Sequence, residues 1–359
     1  MALEQDRIVQ VLQDVWAELL AVEVAEDDDF FELGGYSLLI VNVVAEARRH
    51  GVELSSNDVF LHKTPKAIAA ALTGGSTPQD AAPAGSAGWD FAEVWATGAA
   101  PMAVPPTSNL VLLATGGTET PIFCIHWGTG NVGFMRKYVD RFRGDRPAYG
   151  LEMIGLRTRV RPPLSVVEAA TRYLAEIRTV QPQGPYLFLG LCTGGRIAYE
   201  IARQLEARGE QVALLAVVNT LPPGVRELDP GWGLREVYDF RGAGVREKFG
   251  VSNPADDPQR LLDAMRELEW VDEEVVAEEL PWRQMMWAAG IFGHENYEAQ
   301  RYGGDVTVYQ SREVADRPDS AWDHLVRDAE AYTFSAPTTL DVVRDPAFAE
   351  ALAKKLTTL

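Results

Sequence analysis

Apolar residues in the first 72 positions recur at helical spacing. Ile8, Val11, Leu12, Val15, Leu19 and Leu20 form one stripe, and Leu38, Leu39, Val41, Val44 and Ala45 start a second. Ile68, Ala69 and Leu72 predict a last helix, opened by Thr64-Pro65 with proline in its first turn. From Thr73 to about Ser108 the periodicity stops. Gly74-Gly75-Ser76-Thr77-Pro78 and Ala81-Ala82-Pro83-Ala84-Gly85-Ser86 read as a flexible linker, interrupted by Trp89, Phe91 and Trp95. From residue 109 the period changes. Leu110–Ala114, Pro121–Ile125, Ala148–Leu151, Tyr186–Leu189, Val212–Val218 and Val306–Gln310 read as strands, and Val166–Val180 and Gly194–Arg208 as helices. Strands alternating with helices imply a mostly parallel sheet covered on both faces. Residues 224–300 break the alternation with acidic, helical sequence containing Trp232, Trp282 and Trp287, which predicts a lid over the strand ends. The fold class is therefore α + α/β: a small helical bundle over 1–75, a linker over 76–108, and an α/β domain over 109–359 whose lid covers about 224–300.

Charge narrows the partners. The 359 residues carry a formal net charge of −19, partly from Glu26-Asp27-Asp28-Asp29, which disfavours nucleic acid. The excess either steers basic partners or serves solubility alone. No apolar run reaches the roughly 18 residues of a membrane span. The start, Met-Ala-Leu-Glu-Gln-Asp-Arg, lacks a basic region followed by an apolar core. The two cysteines, Cys124 and Cys192, fit a reducing compartment, so a cytoplasmic location is expected. Cys124 reads as core.

Two segments carry candidate chemistry. Ser37 lies in Asp28-Asp29-Phe30-Phe31-Glu32-Leu33-Gly34-Gly35-Tyr36-Ser37-Leu38-Leu39, at the start of a helix. A serine there is either a plain N-cap or an attachment point for a prosthetic group. Cys192 lies in Gly190-Leu191-Cys192-Thr193-Gly194-Gly195, after the apolar run Tyr186-Leu187-Phe188-Leu189. Glycines on both sides are what a nucleophile needs on a tight strand-to-helix turn. The following helix directs its positive end at the thiol, which favours thiolate. The alternative is a buried cysteine at an ordinary strand–helix junction. Upstream, Phe123-Cys124-Ile125-His126-Trp127-Gly128-Thr129-Gly130-Asn131 ends a strand in a glycine turn. The N–H groups of Gly128 and Thr193, with that of Trp127 as a further candidate, are expected to form an oxyanion hole.

On these motifs, residues 1–75 resemble a peptidyl carrier protein. Residues 109–359 resemble a type I thioesterase of the α/β-hydrolase fold with a cysteine nucleophile, and the order is similar to the release end of a nonribosomal peptide synthetase. The resemblance implies 4′-phosphopantetheine on Ser37, installed by a phosphopantetheinyl transferase. It also implies upstream condensation and adenylation modules, contact between carrier and thioesterase, and no nucleic-acid or membrane partner. It holds at Ser37 although Tyr36 replaces the usual His or Asp, and it breaks at the triad. Serine-type relatives place an aspartate after the next strand and a histidine near the C-terminus. Here Asn219 follows Leu214–Val218, and Thr338 or Thr339 occupies the second place, Thr339 being preferred. His50 and His62 belong to the carrier region, which leaves His324, His126 and His294 as candidate bases, or no histidine at all.

The set Cys, Asn, Thr is chemically coherent, because a thiol tolerates a missing base better than a hydroxyl does. An acyl-S-cysteine retains the acyl-transfer potential of the incoming thioester. Weak base catalysis also activates water poorly. The expected reaction is therefore release by intramolecular cyclisation to a lactam, lactone or thiolactone. Hydrolytic release or editing is the alternative enzyme reading, and a degenerate domain that only binds or gates the acyl carrier is the non-enzymatic one. No metal site is expected.

Overall fold

A computed structural model describes residues 2–20, 22–30, 33, 43–44, 46–52, 54, 58–59, 62–73, 108–157, 161–248, 258–268, 270–271 and 275–359. The chain divides into two units. One comprises Met1–Trp89, Glu227–Trp232 and Asp239–Asp257, and the other Asp90–Arg226, Gly233–Tyr238 and Pro258–Leu359. Ser37, Leu38, Leu39, Val41, Ala45, Trp89, Phe91 and Trp95 lie outside the described residues.

In the first unit, helix α1 (Ala2–Leu20) buries Ile8, Val9, Leu12, Val15 and Trp16 along one stripe. Trp16 is sealed against Phe30, their ring centroids 4.8 Å apart. Helix α2 (Pro65–Thr73) starts as its sequence directs. The Thr64 hydroxyl accepts the Ala67 N–H at 3.2 Å, and Pro65, which has no N–H to strand, takes the first position. Residues 43–44 and 46–49 are helical, with Val43 and Ala47 buried.

The second unit is built on a seven-stranded sheet of order β1-β3-β2-β4-β5-β6-β7. The strands are β1 (Leu110–Ala114), β2 (Ile122–Ile125), β3 (Ala148–Leu151), β4 (Tyr186–Leu191), β5 (Val212–Val218), β6 (Val306–Ser311) and β7 (Ala329–Phe334). Only β1 pairs antiparallel, with β3; every other neighbour is parallel. β2 and β4 are buried at every position, which is why they read as unbroken apolar runs rather than as alternation.

Helices α3 (Val166–Val180) and α4 (Thr193–Glu206) cover one face, packing Tyr173, Ile177, Ile197, Ile201 and Leu205 on Phe123, Phe188 and Val217. Full burial of one such phenylalanine contributes about 1.5–3 kcal/mol. Ser165 caps α3 by accepting the Glu168 N–H at 3.2 Å. Val342, Phe348 and Leu352, on two C-terminal helices, cover the other face against Cys124, Leu189 and Tyr309. The insertion between β5 and β6 holds α5 (Leu234–Lys248), α6 (Pro258–Glu267) and α7 (Leu280–Glu295). The C-terminal pair, after a one-turn α8 (Arg312–Ala315), is α9 (Thr339–Arg344) and α10 (Pro346–Leu356).

One side chain ties the insertion down. Arg196, in the second turn of α4, is fully buried. Its Nε donates to the Leu221 carbonyl at 3.0 Å, and Nη2 donates to the carbonyls of Pro222 at 2.8 Å and Val225 at 2.7 Å. Nη1 donates to the His294 carbonyl at 2.6 Å. The first three acceptors begin the insertion and the fourth ends its last helix, so a planar fork of donors fastens both roots to the helix that follows Cys192.

Candidate active site

All parallel strands end on one edge of the sheet, and in such sheets ligands bind outside the carboxyl ends of the strands. β4 runs off this edge into Cys192, whose φ of 51° and ψ of −113° lie outside the ordinary regions for a side-chain-bearing residue. Strain of this kind persists only where the surroundings fix it. Here the Cys192 N–H donates to the Val218 carbonyl at 2.8 Å, and its carbonyl accepts the Gly195 N–H at 3.0 Å and the Thr220 hydroxyl at 2.9 Å. Gly194 is required for space: a Cβ there would run into the main-chain carbonyls of Ile125 and His126. Cys192 is half-buried and unbonded to sulfur, whereas Cys124 is sealed in the core and its thiol is pushed up to about 12 by burial. Only Cys192 has the exposure and the helix N-terminus of a reactive thiol.

β2 leaves the same edge through His126, Trp127 and Gly128. Among the described residues, neither the Gly128 nor the Thr193 N–H donates to a main-chain carbonyl, so both candidate oxyanion donors remain uncommitted to secondary structure. The turn is braced from within. Asn131 Oδ1 accepts Trp127 Nε1 at 2.6 Å and the Thr129 hydroxyl at 2.5 Å, and Gly130 N–H closes on the Trp127 carbonyl at 2.9 Å.

Asn219, Thr338 and Thr339 stand on this edge too. Asn219 follows β5 in a left-handed conformation, φ 46°, which asparagine tolerates better than most residues. Its Oδ1 accepts the Ser311 N–H at 2.5 Å. That donor fixes the amide orientation, Oδ1 toward Ser311 with the two Nδ2 donors on the other side, and a neutral carboxamide brings no negative charge to stabilise an imidazolium. The loop after β7 carries the two threonines. Thr338 caps α9, its Oγ1 accepting the Asp341 N–H at 3.2 Å and donating to Asp341 Oδ2 at 2.6 Å. Thr339, half-buried, opens the helix.

Two histidine expectations are corrected. His324 is exposed between β6 and β7, and its neighbours Leu325 and Asp328 bond Tyr302 and Val306 at the start of β6. It therefore sits at the opposite edge from Cys192. His126 is at the right edge but is 1% exposed, and burial pulls it from 6.5 down to about 4. Its Nδ1 lies 2.7 Å from the Trp127 carbonyl, which can only accept, so the proton is on Nδ1. It is a neutral brace of the turn and a poor base. His294 closes α7 and accepts from Arg196 through its carbonyl.

Sequence reasoning did not single out Arg196, Asn131 or Trp270. Trp270 shares an apolar cluster with Trp127 and Cys192, and Trp287 of α7 packs on Trp270 with centroids 5.6 Å apart. The tryptophan-rich lid was the available signal. Among the described residues no cluster of His, Cys, Asp or Glu could hold a metal ion, and no helix is long and apolar enough to cross a membrane.

Comparison with known protein families matches a thioesterase domain over residues 120–287 and a phosphopantetheine attachment site over 10–72. Malpibaldin synthetase of Mortierella alpina is 32% identical over 240 residues, 64% of this chain and 4% of that protein. A dimodular nonribosomal peptide synthase of Bacillus subtilis (strain 168) is 33% identical over 215 residues, 59% of this chain and 8% of its own. The chain thus spans less than a tenth of the length of either relative. Among solved structures, a holo four-domain nonribosomal peptide synthetase bound to AMP and glycine superposes on 98% of this chain with 26% of its own, at TM-score 0.57 and 20% identity. The type II thioesterase BorB of the borrelidin biosynthetic cluster covers 71% of this chain with 100% of its own, at TM-score 0.51 and 17% identity.

Proposed function

The chain is a phosphopantetheine carrier domain followed by an α/β-hydrolase thioesterase domain of the nonribosomal peptide synthetase kind, and from that premise we propose that it releases a carrier-borne acyl or peptidyl thioester through an acyl-S-Cys192 intermediate, by intramolecular cyclisation. The carrier domain takes 4′-phosphopantetheine on a serine, here assigned to Ser37, and that group presents the acyl chain as a thioester. Upstream synthetase modules supply the acyl chain and a phosphopantetheinyl transferase installs the group.

The observation that carries this reading is the strained elbow of Cys192 combined with Asn219, Thr338 and Thr339 at the positions of acid and base. Cys192 Sγ forms a bond to the acyl carbon as the bond to the carrier sulfur breaks. The helix N-terminus stabilises negative charge on Sγ, and the N–H groups of Gly128 and Thr193 hold the transient oxyanion. Thioester is exchanged for thioester, so activation is retained. A nucleophile within the acyl chain then attacks, the C–S bond to Cys192 breaks, and the nucleophile's proton passes to the leaving thiolate or to solvent. Water competes poorly because His126, the candidate base at this edge, is sealed from solvent and its basicity is pulled down to about 4 by burial. A hydrolytic mechanism with a relocated histidine loses support, since His324 is at the opposite edge.

The test is product analysis by mass spectrometry of a chain loaded on its carrier with an acyl group bearing a terminal amine. A cyclic product that requires Cys192 is expected. A free acid as the sole enzyme-dependent product overturns cyclisation, and persistence of loaded carrier with no product supports a domain that only binds.

A further inference from the structure

Trp287, Trp270, Trp127 and Phe134 stand in a continuous row. Successive ring centroids are 5.6, 6.0 and 5.6 Å apart, and the interplanar angles are 86°, 78° and 58°. The row joins the two halves of the site. Trp127 belongs to the turn that supplies the oxyanion donor, and Trp287 lies over Gly128 so closely that a Cβ on Gly128 would sit 3.0 Å from Trp287 Nε1. Trp127, Trp270 and Cys192 belong to one apolar cluster. The row is also pre-organised: Trp127 Nε1 is tied to Asn131 Oδ1, and the Trp127 ring is backed by Phe134. Trp270 and Trp287 are only half-buried, so part of each indole is accessible to solvent.

Resting on the reading of Cys192 as the acyl-accepting thiol, we propose that this row is the acyl-recognition wall and selects acyl chains that carry an aromatic ring close to the thioester carbonyl. The elbow backbone at Gly194 packs on the main chain of Ile125 and His126, so the elbow adjoins the turn that carries Trp127, and a ring on the row lies toward the carbonyl end of the acyl chain. The spacing decides between aromatic and cationic ligands. A cation needs ring faces gathered around an open centre, within about 6 Å of each centroid. Here the rings already touch edge to face, which leaves a surface and no central hole. A further aromatic ring extends the same edge-to-face pattern, which favours it over a saturated ring of equal size. Because Trp127 is held in place beforehand by Asn131 and Phe134, binding spends little ordering entropy on that ring.

The experiment measures binding of hydrolysis-resistant pantetheine amides to the full chain by tryptophan fluorescence and calorimetry. Three acyl groups are compared: 3-phenylpropionyl, 3-cyclohexylpropionyl and 4-(trimethylammonio)butyryl. The phenyl analogue is expected to bind tighter than the cyclohexyl one by on the order of fivefold. Trp270→Leu and Trp287→Leu should each bring the two to near equality, and Trp270→Phe should keep the preference, which separates loss of the aromatic face from damage to the fold. Equal affinities in the unaltered chain, tightest binding of the ammonium analogue, or a preference that survives both leucine variants overturns the proposal. Iodoacetamide alkylation of Cys192 and transfer of acyl groups to it are read separately. A phenyl preference without acyl transfer would fail the nucleophile reading alone, and acyl transfer without a phenyl preference would fail this one alone.

Discussion

The two sides of the candidate site differ in how much freedom their side chains have. On the elbow side, Cys192 is locked by main-chain bonds to Val218 and Gly195, by the Thr220 hydroxyl and by the lack of room at Gly194. On the other side, the residues stand at strand exits, where Asn219 needs only an oxygen for the Ser311 N–H and Thr338 needs only a helix cap. Backbone geometry resists substitution because neighbours on adjacent strands depend on it. The exits accept new side chains because each local duty can be met by several residue types. Substitution at the exits therefore leaves the Cys192 turn intact.

The largest effect is expected at the buried fork beneath the elbow. Arg196→Met leaves four buried carbonyls without their donors and is expected to cost about 4 kcal/mol of stability, seen as a lower urea midpoint. An unchanged midpoint would mean that the insertion does not depend on this anchor. Gly194→Ala forces a methyl into two carbonyl oxygens and should cost about 3 kcal/mol by the same assay, together with loss of Cys192 alkylation by iodoacetamide.

Acid acts on the brace of the turn. His126 is depressed from 6.5 to about 4, so the unfolded chain takes up a proton near pH 6.5 while the folded one stays neutral. Stability therefore falls as pH drops through this window, by about 3 kcal/mol from this residue at about 1.4 kcal/mol per pH unit, and is unaffected by it above the window. In His126→Asn that slope should be absent, so denaturation midpoints of the two proteins should converge as the pH falls from 6.5 to 4.

The smallest effect is the most diagnostic of the open side. Asn219→Asp with Thr339→His should cost less than about 1 kcal/mol, because a carboxylate at position 219 still accepts the Ser311 N–H and Thr338 still caps α9. It should raise formation of free acid by at least about tenfold by restoring a base. A folding penalty as large as that of Gly194→Ala would show that the exits are as constrained as the elbow.

The division of legibility follows the same physics. Val166–Val180 and Val212–Val218 were readable to the residue, because a buried helix face and a strand buried on both sides each impose an unambiguous pattern. β7 was not read: at the sheet edge, Ala329–Phe334 alternates exposed Glu330, Ala331 and Thr333 with only partly covered Tyr332, so neither a continuous run nor a clean period appears. The elbow was legible from glycine spacing, which sterics dictate locally. The exclusion of His324 and the neutrality of His126 depend on which edge of the sheet a residue reaches and how deeply it is sealed, and both are set by chain segments far away in sequence. Arg196 carries no local signal of its role, since its four acceptors come from residues 221–225 and 294.

Acylation of Cys192 is read most directly by intact-protein and peptide-level mass spectrometry of the carrier-loaded chain quenched at short times. A transient mass increase equal to the acyl group is expected on the peptide containing Cys192, absent in Cys192→Ala. Product release that persists in Cys192→Ala, with no acyl mass ever found on that peptide, would contradict it.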